Sequence, residues 1–239
     1  MQRMNELVAL LQKEGLSCPA DLGAQLLAFE EQLLETNKVM NLTAITDPDE
    51  MMKKHYWDSI YPASLGVFPQ GATVVDVGCG AGFPSIPLKM ARPDLKMILL
   101  DSLQKRLNFI DGVIAAQNLK EIATLHARAE DAGRNPALRG QFDIAVSRAV
   151  AELSKLLEYC LPLVKKGGAL VAYKGASADE ELENAQKAIR VLGGKVEAVH
   201  HYTLPGEEDK RAIIVIRKIN DTPKQYPRGP KQIKEKPLK

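Results

Sequence analysis

The sequence is poor in the residues from which disulfide frameworks, metal sites, membrane spans and aromatic surfaces are built. Its 239 residues include three cysteines. Cys18, Cys79 and Cys160 are too few and too far apart for a disulfide framework or a zinc site, which points to a reducing compartment. One tryptophan and an aromatic content of 5% leave little surface for stacking. No apolar run approaches the roughly 18 residues of a membrane span. The opening "MQRMNELVALLQKEGL" carries charges inside its apolar pattern, unlike a signal-peptide core. The expected location is the cytoplasm. The phosphate-cradling pattern ending in Gly-Lys-Ser/Thr is also missing. No metal spacing surrounds His200 and His201, so no metal is expected and both are read as structural.

Hydrophobic periodicity divides the chain. In residues 1–65, "MNELVALLQKEG" and "ADLGAQLLAFEEQLLETNKVM" place apolar residues three and four apart, which predicts helices. A third helix is expected over 48–61, with Asp47 as N-cap before Pro48. Beyond residue 65 the short apolar runs "ATVVDV", "KMILLD", "IATLHA", "FDIAVS" and "ALVAY" alternate with amphipathic stretches such as "LQKRLNFIDGVIAAQN" and "VAELSKLLEYCLPLVK". That alternation predicts a parallel sheet with helices on both faces. "GKVEAVHHYTL" and "RAIIVIRKI" then follow one another with only a loop between them, so the sheet should end in an antiparallel hairpin. The expected organisation is an N-terminal helical region at 1–65, an α/β ligand-binding domain at 66–219 and a basic, extended tail at 220–239. Residues 217–239 hold eight Lys or Arg against Asp221 and Glu235, on a chain whose total is +2. Such a run fits either a solvated end or a polyanionic partner.

In an open parallel sheet, ligands lie outside the carboxyl ends of the strands. Those ends deliver Asp76, Asp101, Glu130, Arg148 and Lys174 to one rim. After the first strand comes "DVGCGAGFPSIP", with Gly78, Gly80 and Gly82 at every second position. Three glycines in five residues exceed the needs of a turn and suit a ligand lying against bare backbone. Their spacing is G-x-G-x-G, whereas the dinucleotide fingerprint is G-x-G-x-x-G. Pro84 and Pro87 remove amide donors that a phosphate would want at a helix start. The combination suits a phosphate-free nucleoside ligand such as S-adenosylmethionine, with Asp101 placed for its ribose hydroxyls.

The segments "NKVMNLTAIT", "HYWDS", "DVGCGAGFPSIPLK", "LLDSLQKRLNFI", "ARAE", "VSRAVAEL", "LPLVKKGG", "YKG" and "YPR" together resemble the RsmG family, also called glucose-inhibited division protein B, over nearly the whole chain. The resemblance implies a class I, Rossmann-like methyltransferase fold. It further implies methylation of N7 of the guanosine numbered 527 in small-subunit (16S) ribosomal RNA, free or within an assembling subunit. It also implies that Gly78 and Phe83 line the cofactor site, that Ala129 and Glu130 meet the adenosine portion and that Arg148 completes the site.

The chemistry is consistent with that expectation. Enzymes acting on exocyclic base amines commonly carry Asn/Asp-Pro-Pro-aromatic after the fourth strand, where this chain has "SRAVAE". Guanine N7 has a lone pair and no proton, so alignment can suffice without a general base. No cysteine pair is placed for covalent catalysis. His55, Asp58 and Ser59 share a helical face and read as a local hydrogen-bonding network, a substrate contact or a nucleophilic triad. Asn37 and Asn41 read as turn residues or contacts to the target nucleotide, and Lys174 as a surface lysine or a phosphate contact. Positioning candidates are therefore Arg148, Lys174, His55 and Asp58. The rival readings are a nicotinamide-dependent oxidoreductase and a non-enzymatic RNA-binding assembly factor.

Overall fold

The computed structural model describes residues 1–239. Its strands are β1 (Thr73–Val77), β2 (Lys96–Asp101), β3 (Ile122–His126), β4 (Phe142–Arg148), β5 (Val164–Lys174), β6 (Gly194–Thr203) and β7 (Lys210–Lys218). They form one seven-stranded sheet in the order β3-β2-β1-β4-β5-β7-β6. The pairings β1–β4, β2–β3 and β4–β5 are parallel, whereas β7 runs antiparallel between β5 and β6. The expected α/β architecture and terminal hairpin are both present, with the last strand inserted between its predecessors. Strand order reverses between β1 and β4, the place where doubly wound sheets open a crevice.

The chain divides into two compact units, residues 1–71 with 79–126 and residues 72–78 with 127–239. In the first, α1 (Gln2–Lys13) buries Met4, Leu7 and Leu11, and α2 (Leu22–Asn37) buries Leu22, Leu26, Phe29 and Leu33. These are the i, i+3 and i+4 positions that the sequence pattern marks. An Arg3–Glu30 ion pair joins the two helices. The expected third helix begins as α3 (Pro48–Met51), where the Asp47 Oδ1 accepts from the Asp49 and Glu50 amides at 3.0 Å. It continues through a π-helical segment, Met52–Trp57, into α4 (Asp58–Ile60) and a 3₁₀ turn, Tyr61–Leu65. The unit also holds α5 (Ser85–Ala91) and α6 (Gln104–Ala116).

The second unit holds α7 (Ala129–Arg134), α8 (Leu153–Cys160), α9 (Ala178–Asn184), α10 (Gln186–Val191) and α11 (Pro230–Glu235). Its central strands are buried nearly end to end, from Ile144 to Ser147 in β4 and from Gly168 to Lys174 in β5, as expected when helices cover both faces. Asp143 fixes one edge by accepting from the Thr73 amide at 2.9 Å and the Thr73 hydroxyl at 2.6 Å, and by pairing with Lys165.

The stretch read as an extended tail is docked. The Arg228 backbone amide and guanidinium together clasp Glu158 on α8, with the Arg228 Nη2 2.7 Å from the Glu158 Oε2. Arg139 donates to the Thr222 and Tyr226 carbonyls at 2.7 and 2.8 Å, and the Arg134 Nε donates to the Pro227 carbonyl at 2.9 Å. Pro227, Ile233 and Leu238 are buried. Composition counts the charges of this segment, but it does not reveal that some of them have partners elsewhere in the chain.

Candidate active site

The first unit carries the greater part of the glycine loop. The Cys79 amide donates to the Leu100 carbonyl at 3.1 Å, and the Gly80 amide donates to the Asp101 Oδ2 at 3.0 Å. The other Asp101 oxygen accepts from the Leu103 amide at 2.9 Å, and Arg106 lies 3.9 Å from Oδ2. Each oxygen of an ionised carboxylate has two lone pairs, so acceptor capacity remains on this buried group. Gly80 has φ of 58° and open space where a Cβ would point. Gly82, at φ 93°, lies against Ile86 instead, where a Cβ would be crowded.

The prolines act at slightly different places from those expected. Pro84 stands just before α5 and Pro87 is its third residue. The Ile86 amide is bonded to the Gly82 carbonyl at 2.7 Å and the Leu88 amide to the Pro84 carbonyl at 3.1 Å. At the start of α5, Pro84 and Pro87 thus bring no amide hydrogen and the Ile86 and Leu88 amides are already bonded, which suits a ligand that presents no phosphate there.

Phe83 is 7% exposed and sits in an aromatic cluster. Its ring stacks on His55 with centroids 4.4 Å apart and planes 18° from parallel, and the Phe29 ring is 5.4 Å away. The His55 Nε2 is hydrogen-bonded to the Thr43 hydroxyl at 2.8 Å, while the Ser59 hydroxyl donates to the His55 carbonyl at 2.5 Å. These bonds favour the local network among the three readings, and they commit the Ser59 hydroxyl to a backbone carbonyl, which makes it a poor nucleophile for a triad. Helical segments of the π type frequently mark functional positions, and this one delivers His55 to the ring beside the glycine loop. Asp58 is buried at the start of α4, which continues that segment. Asn37 is a turn residue: its Oδ1 accepts from the Leu42 and Thr43 amides at 2.8 and 3.0 Å.

The second unit carries Asp76 and Gly78 at the end of β1. Asp76 is fully buried, in register with Val146. Burial and then the Asp76 charge push the Cys160 thiol far above the usual thiol range. Gly78 has φ of 77°, and a Cβ there would come within 2.5 Å of a Val150 methyl. No other residue type meets both demands. The neighbouring Ser147 hydroxyl donates to the Val77 carbonyl at 2.8 Å. Arg148 ends β4, in register with Tyr173. Ala129 opens α7 and Glu130 is buried beside Tyr159, whose phenol is pushed up first by burial and then by the Glu130 charge.

Lys174 is neither a surface lysine nor a free phosphate contact. Its ammonium is buried, 2.7 Å from the Ala151 carbonyl and 2.7 Å from the Glu181 Oε2. Three further residues gain importance, two of them without any signal in the sequence. They are Ala149, at a φ of 57° unusual for alanine, Val150, 41% exposed, and Glu181. Only Val150 had a sequence-level signal, an apolar residue in a segment that otherwise opens a helix.

A doubly wound sheet with a proline-guarded glycine loop and buried acids at the ends of β1 and β2 defines the class I methyltransferase fold. Solved structures agree at the level of fold. One is a 16S rRNA (adenine(1408)-N(1))-methyltransferase from Catenulisporales acidiphilia, 15% identical, with a TM-score of 0.52 over 63% of this chain and 86% of that one. Another is M. jannaschii TYW2 in complex with AdoMet, 14% identical, with a TM-score of 0.52 over 68% and 73%. The sequence pattern of the family described as "GidB: rRNA small subunit methyltransferase G" matches residues 23–213. A curated relative, the ribosomal RNA small subunit methyltransferase G of Geobacillus sp. (strain WCH70), is 46% identical over 96% of each chain. The chain belongs to the rRNA small subunit methyltransferase G family.

Proposed function

We propose that the protein transfers the methyl group of S-adenosylmethionine to N7 of guanosine 527 in small-subunit (16S) ribosomal RNA. The observation that carries this reading is the glycine loop, which pairs bare backbone at Gly80 with a helix start nearly stripped of amide donors. It supports a nucleoside ligand without phosphate and counts against a nicotinamide dinucleotide, whose pyrophosphate needs those donors. The residues assigned to the cofactor are Asp76, Gly78, Gly80, Gly82, Phe83, Asp101, Ala129, Glu130 and Arg148. Asp101 keeps lone pairs for ribose hydroxyls, while Gly78 and Gly80 let the backbone approach.

The bound donor supplies a sulfonium methyl: as the N7 lone pair forms the new C–N bond, the C–S electron pair leaves with sulfur, and no proton moves. The protein therefore needs alignment and charge placement more than a general base. The residues after β4 lack the amine-accepting segment of exocyclic-amine enzymes, which supports a ring nitrogen as nucleophile. His55 acts through Phe83, holding that ring over the loop.

The N-terminal region at 1–65 and the domain at 66–219 are assigned to substrate positioning and cofactor binding. The docked C-terminal segment, with exposed Lys224, Lys231, Lys234 and Lys236, is assigned to RNA phosphates. The target base must be unpaired or extruded to be reached. An assembling ribosomal subunit in the cytoplasm is the proposed setting. No helix is long and apolar enough to cross a membrane. Calorimetric titration with S-adenosylmethionine and with NAD tests the reading: heat is expected with the first only, and binding of NAD alone would refute it.

A further inference from the structure

We propose that Lys174 and Glu181 are positioning residues for methyl transfer, acting by anchoring the loop between β4 and α8. The proposal rests on the methyltransferase reading above. This loop, residues 149–152, begins with Ala149 in the left-handed region and places Val150, 41% exposed, over Gly78. A non-glycine residue in that region is strained and persists only where the surroundings over-determine it.

The over-determination comes from the end of β5. The Lys174 ammonium donates to the Ala151 carbonyl and to Glu181, both at 2.7 Å. Glu181 in turn accepts from the Leu153 amide at 2.8 Å and from the Ser177 hydroxyl at 3.0 Å. The loop is thus gripped at a carbonyl and at an amide two residues further on by one ion pair. The lysine side chain is 7% exposed and the glutamate side chain 20% exposed, so the pair is shielded from the screening that weakens surface bridges. Burial alone would raise the Glu181 carboxyl, yet the bonds from Lys174, Leu153 and Ser177 hold it below its ordinary value. Arg148 is held by its strand register with Tyr173, ahead of the loop. Releasing the anchor should therefore disturb alignment more than cofactor affinity.

The test uses the full-length protein, small-subunit particles and tritiated S-adenosylmethionine, with the variants K174M, E181Q, E181L and K174M/E181L. K174M should lower kcat by about 10–100-fold, the scale of a misplacement of about 1 Å, with cofactor affinity within about threefold by calorimetry. E181L should raise hydrogen exchange at the Leu153 amide at least about tenfold. E181Q keeps an acceptor for that amide and should restore both its protection and most of the turnover. In the double variant no charge is left unpaired, so stability should recover while turnover stays low. Wild-type turnover in K174M, or in the double variant once its stability has recovered, would overturn the proposal by showing the pair to be structural only. If the wild type transferred no methyl group, the functional reading would fail, and the exchange measurements would still decide whether the loop is anchored.

Discussion

Replacing Arg228 with alanine strips the two guanidinium N–H groups that donate to Glu158 and leaves the Arg228 backbone amide, 2.7 Å from the Glu158 Oε1, as the donor. The Glu158 side chain is 1% exposed, so water cannot readily take over. Hydrogen bonds to a charged group contribute about 1.5–3 kcal/mol each, and breaking a buried pair by removing one partner costs about 3–5 kcal/mol. Arg228→Ala should therefore destabilise the protein by about 3–5 kcal/mol. For a chain of this length that corresponds to a fall in Tm of the order of 10 °C. The assay is urea unfolding of the full-length protein, read as a shift in midpoint at constant m. The double variant R228M/E158L should recover most of the loss, because neither charge is then buried alone. A cost below about 1 kcal/mol for Arg228→Ala would refute the reasoning and return the segment after residue 219 to an undocked tail.

Gly78→Ala should weaken S-adenosylmethionine binding at least about tenfold by calorimetry, since it meets both the φ of 77° and the Val150 methyl; unchanged affinity would remove Gly78 from the site. Asp143 provides a pH test. Burial pushes its carboxyl up, but bonds from Lys165 and Thr73 outweigh that and hold it at about 2, below the ordinary 3.8. A depressed carboxyl contributes fully above the ordinary value, and the contribution is lost as pH falls toward 2, here about 2 kcal/mol. Asp143→Asn should flatten the acid limb of the stability curve between those pH values, and an unaltered limb would contradict the assignment. Cys79→Ala and Cys160→Ala should each retain turnover, because direct transfer uses no thiol; loss of activity with cofactor binding intact in Cys79→Ala would argue for a covalent route.

The strands were readable because each is a short apolar run bounded by turn residues: "KMILLD" is β2 residue for residue. Sequence patterns lost track where chemistry at long range decided the outcome. The helix expected from Val150 onward holds only Leu153–Cys160, since Lys174 and Glu181 draw the preceding residues into a loop. Residues 178–191, ahead of the hairpin, form two short helices, α9 and α10, that meet at Ala185. In the tail, Arg228 finds Glu158 at a separation of 70 residues, beyond anything periodicity or charge counting can express. The placing of Asp76, the three glycines and Asp101 at strand ends and in the turn was legible because strand ends and turns are local. The stacking of His55 on Phe83 was not, because it depends on a π-helical segment that composition does not announce.

The most direct test of the central claim is to incubate the wild-type protein with S-adenosylmethionine and small-subunit particles lacking the modification, then map methylated bases by cleavage at 7-methylguanosine. A single new stop at guanosine 527, dependent on added S-adenosylmethionine, is the predicted result. Methylation at another atom or another nucleotide, or no incorporation by protein that demonstrably binds the donor, would contradict the account.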